Sequence, residues 1–126
     1  MGAKRILAID DEASFVKLVK LNLEKTGRYQ VRVENDSRAA MHAARSFQPD
    51  LILLDVMMPG KTGAAIIQEI EADAALCKVP LMFLTASTTR QVAEAQCTTR
   101  RSLPIIAKPV DPKELLRHIE IGRAHV

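Results

Sequence analysis

Tryptophan is absent from this 126-residue chain, and only three phenylalanines and one tyrosine stand in for it. A surface that grips nucleic acid needs a clustered basic stripe, usually interleaved with aromatic side chains on which bases stack. Here a net charge of +3 is scattered, with Arg100-Arg101 the only late pair, so no direct nucleic-acid binding is expected. Cysteine is as scarce. Cys77 and Cys97 are too few for the disulfide framework of a small secreted domain, and both are expected as free thiols. No apolar run approaches the roughly 18 residues that a membrane helix needs. At the amino end Lys4-Arg5 is followed only by residues 6–9 before Asp10, too short for the apolar region of a signal peptide. Met1-Gly2 opens like a myristoylation signal, but Ile6 stands where Ser or Thr is required. These absences predict a cytoplasmic location and no membrane partner. What is present, 48% hydrophobic and 26% charged residues, suits one domain over 1–126 that buries a core without staples.

The chain is organised around Leu51-Ile52-Leu53-Leu54-Asp55-Val56-Met57-Met58-Pro59-Gly60. Four consecutive aliphatic residues have the length of a strand covered on both faces, as in a parallel sheet. The run stops at a carboxylate, and an unpaired charge is costly to bury, so Asp55 is expected at the strand's exposed end. In open α/β sheets that carboxyl end is where ligands bind. Pro59-Gly60 turns the chain shortly afterwards.

Strands and helices alternate on both sides of this stretch. Residues 5–9 read as a short buried strand ended by Asp10 and Asp11. Phe15, Leu18, Val19 and Leu23 then recur at helical spacing, and Gly27 is placed to end that helix. Residues 29–33 alternate apolar and polar, as an edge-like strand does. Ser37 is positioned to cap a second helix that carries Ala40, Ala43, Ala44 and Phe47 inward. Residues 64–75 form a third helix with Ile66, Ile67 and Ile70 on its apolar side. Residues 81–84 are a fourth strand, ending at Thr85. Residues 87–101 are weakly patterned and are expected to be the most mobile element. Residues 104–107 make a fifth strand ending at Lys108-Pro109, and Asp111-Pro112-Lys113-Glu114 starts a last helix that buries Leu115, Leu116 and Ile119.

Five such alternations predict an α/β sandwich of three layers, a parallel sheet joined by right-handed crossovers. Parallel strands share one carboxyl edge, so Asp10, Asp11, Asp55, Thr85 and Lys108 are expected to converge there. Three carboxylates so close repel one another, and a divalent cation relieves the conflict. Mg²⁺ suits this donor set, because it takes hard oxygen ligands and tends to share them with waters and phosphate. A carboxylate beside it is positioned to attack phosphorus. Lys108 would then offer a point charge to one phosphoryl oxygen and Thr85 a hydroxyl to another.

Taken in order, Ile9-Asp10-Asp11-Glu12, Leu53 to Gly60 with Gly63, Leu84-Thr85-Ala86 and Lys108-Pro109 make the chain resemble the receiver domain of two-component response regulators over essentially its full length. The resemblance implies a flavodoxin-like fold with strand order 2-1-3-4-5, the order that general accounts of this fold give for it. It implies that Asp55 accepts a phosphoryl group from a sensor histidine kinase or a histidine phosphotransfer protein. Asp11 and Asp55 would bind Mg²⁺ directly, Asp10 through water, and the Met57 carbonyl as a further ligand. The domain would catalyse its own phosphorylation and dephosphorylation rather than turn over a separate substrate. An output protein or fused output domain would read the change, and a homodimer is compatible with it. The Lys108-Pro109 peptide is expected to be cis, and Met57 and Ser87 occupy positions that tune phosphoryl lifetime.

The pattern departs from the family in two places. Ile105 stands where receivers usually carry Tyr or Phe, and Val110 follows Lys-Pro where Phe is common. The alternative reading drawn from these departures is a receiver-shaped interaction module that works without phosphorylation. A small hydrolase with an Asp nucleophile is disfavoured, since Met57 stands where its second Asp would be.

Overall fold

Leu51–Asp55 (β3) is covered on both faces, as its unbroken aliphatic run requires. The covering follows the two-residue period of a strand. Ile52 and Leu54 pack with Leu7, Ile9 and Phe83 on one side, whereas Leu51 and Leu53 pack with Ile6, Ala8, Met82 and Leu84 on the other. The other elements in chain order are β1 (Lys4–Ile9), α1 (Ala13–Glu24), β2 (Tyr29–Glu34), a 3₁₀ turn (Ser37–Ala39), α2 (Ala40–Phe47), α3 (Gly63–Ala72), β4 (Leu81–Thr85), β5 (Ile105–Ala107) and α4 (Pro112–Ala124). This is a computed structural model that describes residues 2–56, 58–86, 93, 104–108 and 110–124. The weakly patterned 87–101 stretch lies outside the described residues except for position 93.

The five strands are all parallel and run in the order β2-β1-β3-β4-β5, as expected. α2 and α3 bring Ala40, Met41, Ala43, Ala44, Ile66, Ile67 and Ile70 to one face of the sheet. α1 and α4 bring Val16, Val19, Leu23, Leu115 and Ile119 to the other. The result is the three-layer flavodoxin-like architecture. No described helix is long and apolar enough to cross a membrane.

Local chemistry moved several boundaries. α1 turns Val16, Val19 and Leu23 to the sheet, whereas Leu18, expected inside, is 48% exposed and Leu21 62%. Val16 and Leu18 lie on nearly opposite sides of a helix with 3.6 residues per turn, so burying one exposes the other. Gly27 ends the α1 connection with φ +76°, the left-handed conformation anticipated for it. α2 ends instead on a non-glycine, Gln48, at φ 54°. α3 stops at Ala72 rather than at residue 75. The Asp73 carboxylate accepts the backbone N–H groups of Ala75 at 2.8 Å and Leu76 at 3.2 Å and so competes with the helical pattern. Ser37 does not cap α2. Asp36 caps the 3₁₀ turn through the N–H of Arg38 at 2.9 Å, and the Ser37 hydroxyl points elsewhere.

Gly63 begins α3 against Val56, the residue that follows β3. A Cβ there would lie 2.8 Å from the Val56 Cα and about as close to its side chain, and backbone cannot swing away as a side-chain tip can. Gly63→Ala is expected to destabilise the fold by about 2–3 kcal/mol in chemical denaturation, the cost of overpacking a tight contact. An unchanged midpoint would mean that α3 is free to slide off the strand.

Candidate functional site

Register places the site. Ile9 pairs with Leu54, Asp55 with Leu84, and Thr85 with Ala107. Each strand therefore ends within a residue of its neighbour, and Asp10, Asp55, Thr85 and Lys108 emerge side by side along one edge. The Lys108 N–H donates to the Thr85 carbonyl at 2.9 Å, which extends the β4–β5 pairing to the lysine itself.

The acidic residues meet as expected. Asp10, Asp11 and Asp55 each offer a carboxylate oxygen, and these oxygens lie within 4.8 Å of one another. Their burial corrects the expectation of an exposed strand end: Asp10 is 0% and Asp55 4% exposed, and only Asp11 faces solvent. Such burial needs a counter-charge. Lys108 supplies it, with Nζ 2.6 Å from Asp10 Oδ2, 3.1 Å from Glu12 Oε1 and 3.5 Å from Asp55 Oδ2. Asp10 Oδ1 also accepts the Glu12 N–H at 2.9 Å. Thr85, fully buried, completes the row.

Burial alone would depress the Lys108 pKa. Contact with Asp10, the charges of Asp10 and Asp55, and contact with Glu12 together outweigh it and raise the pKa above the usual 10.5. The ammonium is thus charged across the neutral range and remains an electrostatic group, not a proton donor. One lysine cannot balance three carboxylates. A hard cation would complete the neutralisation, and the oxygen-only donor set of Asp10, Asp11 and Asp55 fits Mg²⁺.

Three neighbours carried no signal as isolated residues. The Phe15 ring, expected only as core, lies 4.8 Å from Lys108 Nζ. Glu12 is a third anion on the same ammonium, beside Asp10 and Asp55. Asn35 donates from Nδ2 to the Asp10 carbonyl at 3.1 Å and ties the end of β1 to the connection after β2. No periodicity marks such contacts, since each joins separate elements. Met57, Ser87 and Pro109 lie outside the described residues, so the carbonyl ligand, the lifetime position and the cis peptide are not placed. Ile105 is 45% exposed on β5, and Val110 packs partly buried against the α1–α4 side of the core.

A family model described as "Response regulator receiver domain" matches residues 6–120. The "DNA-binding response regulator MtrA" of Mycobacterium tuberculosis (strain ATCC 25618 / H37Rv) is 34% identical over 116 residues, which cover 92% of this chain and 49% of that protein. The "Phosphate regulon transcriptional regulatory protein PhoB" of Escherichia coli (strain K12) is 34% identical over 118 residues, 94% of this chain and 51% of that one. The chain thus spans about half the length of the curated relatives it matches. Among solved structures, the chemotaxis protein CheY4 of Vibrio cholerae superposes with a TM-score of 0.85 at 26% identity, covering 95% of this chain and 98% of that one.

Proposed function

Because the chain belongs to the response regulator receiver domain family, we propose that Asp55 takes a phosphoryl group from a phosphohistidine and that the modified domain signals to an output partner. One observation carries this reading: three carboxylates from two strand ends gather within 4.8 Å, with Lys108 reaching two of them.

In this reading an Asp55 carboxylate oxygen attacks phosphorus as the bond to the donor nitrogen breaks. The donor imidazole leaves with the electron pair of that bond and takes up a proton, and Asp55 becomes a mixed anhydride. Phosphoryl transfer of this kind is mostly positioning and charge neutralisation. Lys108, 3.5 Å from Asp55 Oδ2, supplies positive charge to a phosphoryl oxygen. Thr85 supplies a hydroxyl to another. Asp10, Asp11 and Asp55, with the Met57 carbonyl, would hold Mg²⁺, which when bound neutralises charge on the phosphoryl oxygens. In autodephosphorylation a water oxygen would attack the phosphorus as its bond to the Asp55 oxygen breaks, releasing inorganic phosphate and restoring the carboxylate.

The phosphodonor would be a sensor histidine kinase or a histidine phosphotransfer protein in the cytoplasm. The reader would be an output protein or a fused output domain. MtrA is named a DNA-binding response regulator and PhoB a transcriptional regulatory protein, and this chain aligns with about half of each, which favours an output partner that acts in transcription. The test uses acetyl phosphate as a small donor. The wild-type protein is expected to gain one phosphoryl group when Mg²⁺ is present and none when it is chelated, read by intact mass. Phosphoryl gain that ignores chelation would overturn the metal-assisted reading, and no gain at all would favour the phosphorylation-independent module.

A further inference from the structure

Four polar or charged residues are buried among those described: Asp10, Asp55, Thr85 and Ser37. The first three are strand ends of the site. Ser37 is not, yet it is only 1% exposed, and a buried hydroxyl is costly unless it is bonded. Its Oγ donates to the Pro59 carbonyl at 2.6 Å and accepts the Lys61 N–H at 2.8 Å. Both partners belong to the loop that leaves Asp55.

This loop is gripped from two sides. On the α3 side Lys61 pairs with Glu69, the Thr62 hydroxyl accepts the Ala65 N–H at 3.1 Å, and Gly63 presses on Val56. On the other side Ser37 straddles Gly60, whose φ of +90° lets the backbone fold round the hydroxyl. A Cβ on Gly60 would come within 2.8 Å of Ser37 Oγ, so the two residues are fitted to each other. The Asp36 cap holds Ser37 in this pose.

We propose that Ser37 is a positioning residue for the divalent cation, its hydroxyl clasping the loop that leaves Asp55 so that the carboxylates of Asp10, Asp11 and Asp55 bind Mg²⁺ as one set. The inference rests on the reading of that carboxylate cluster as the Mg²⁺ site given above. The clasp acts before binding, by removing loop conformations that a cation would otherwise have to select against. Hydrogen-bonded partners that orient metal ligands commonly govern affinity in this way.

The test is isothermal titration of Mg²⁺ into wild type, Ser37→Ala and Thr26→Ala at a temperature where all three are folded. Thr26 is a matched control: its hydroxyl donates to the Leu23 carbonyl at 2.8 Å and accepts the Arg28 N–H at 3.1 Å, at the opposite edge of the sheet. Ser37→Ala is expected to weaken Mg²⁺ binding about tenfold, as loss of a ligand-orienting partner does. Thr26→Ala is expected to bind like wild type even if it melts earlier. Ser37→Gly removes the same hydroxyl and is expected to repeat the loss, which keeps the test available if Ser37→Ala does not fold. Wild-type affinity in the Ser37 variants, or equal weakening in Thr26→Ala, overturns the inference while leaving the acidic site standing. No Mg²⁺ binding by wild type overturns the reading of the site itself, and the inference with it.

Discussion

Asp55→Asn is expected to abolish phosphoryl incorporation from acetyl phosphate, lowering the Mg²⁺-dependent rate on the order of a thousandfold or more. The replacement keeps the shape of the side chain and removes the negative oxygen that attacks phosphorus. The fold should survive the change. Asp55 is 4% exposed among carboxylates whose oxygens lie within 4.8 Å, so an amide there relieves repulsion, while Lys108 stays 2.6 Å from Asp10. A melting temperature no lower than wild type, measured beside the labelling, separates lost chemistry from lost structure. Labelling that persists in Asp55→Asn would move the acceptor to another carboxylate, with Asp11 first because it faces solvent.

Lys108→Met is expected to cost about 3 kcal/mol of stability at neutral pH without Mg²⁺, as removing one partner from a buried ion pair does. Methionine retains the apolar stem but leaves Asp10, fully buried, and Asp55 without their ammonium. Saturating Mg²⁺ should stabilise the variant more than wild type, because the cation binds the folded state and takes over the missing charge. Alkaline pH gives a second readout. The Lys108 pKa is raised on folding, so its contribution is complete below 10.5 and is lost as pH climbs through the higher folded value. Above 10.5 the unfolded state releases this proton first, and wild-type stability falls more steeply there than that of Lys108→Met. The two denaturation profiles should therefore converge at high pH. Equal stability of the two proteins at neutral pH would show that Lys108 does not balance the buried carboxylates.

Ile105 belongs to the signalling question rather than the chemistry. It is 45% exposed on β5, next to buried Ile106 and paired in register with buried Phe83. A partner that binds Asp55→Ala and the phosphorylated protein equally would show that the surface is read without the modification.

Residue order alone was enough for the layers, the parallel sheet and the list of strand-end groups. A buried strand must be continuously apolar, and the place where it turns polar must be its end, so Ile9-Asp10, Leu54-Asp55 and Leu84-Thr85 reveal themselves in one dimension. The last helix was legible for the same reason, since Asp111 caps it through the Lys113 N–H at 2.8 Å, three positions from its acid. Tertiary structure decided the rest. Which face of α1 is buried, Val16 rather than Leu18, depends on how the helix lies on a sheet it meets only after folding. Ser37 looked like a cap and became a clasp on Pro59 and Lys61, and Phe15, packed partly buried against the core as expected, also sets its ring beside Lys108. Such contacts join residues separated by 22, 24 and more positions along the chain, and short-range spacing carries no record of them. The depth of Asp10 and Asp55 was equally invisible. A carboxylate can be sealed from water only where a cation from another strand arrives to meet it, and that meeting exists only once the sheet has closed.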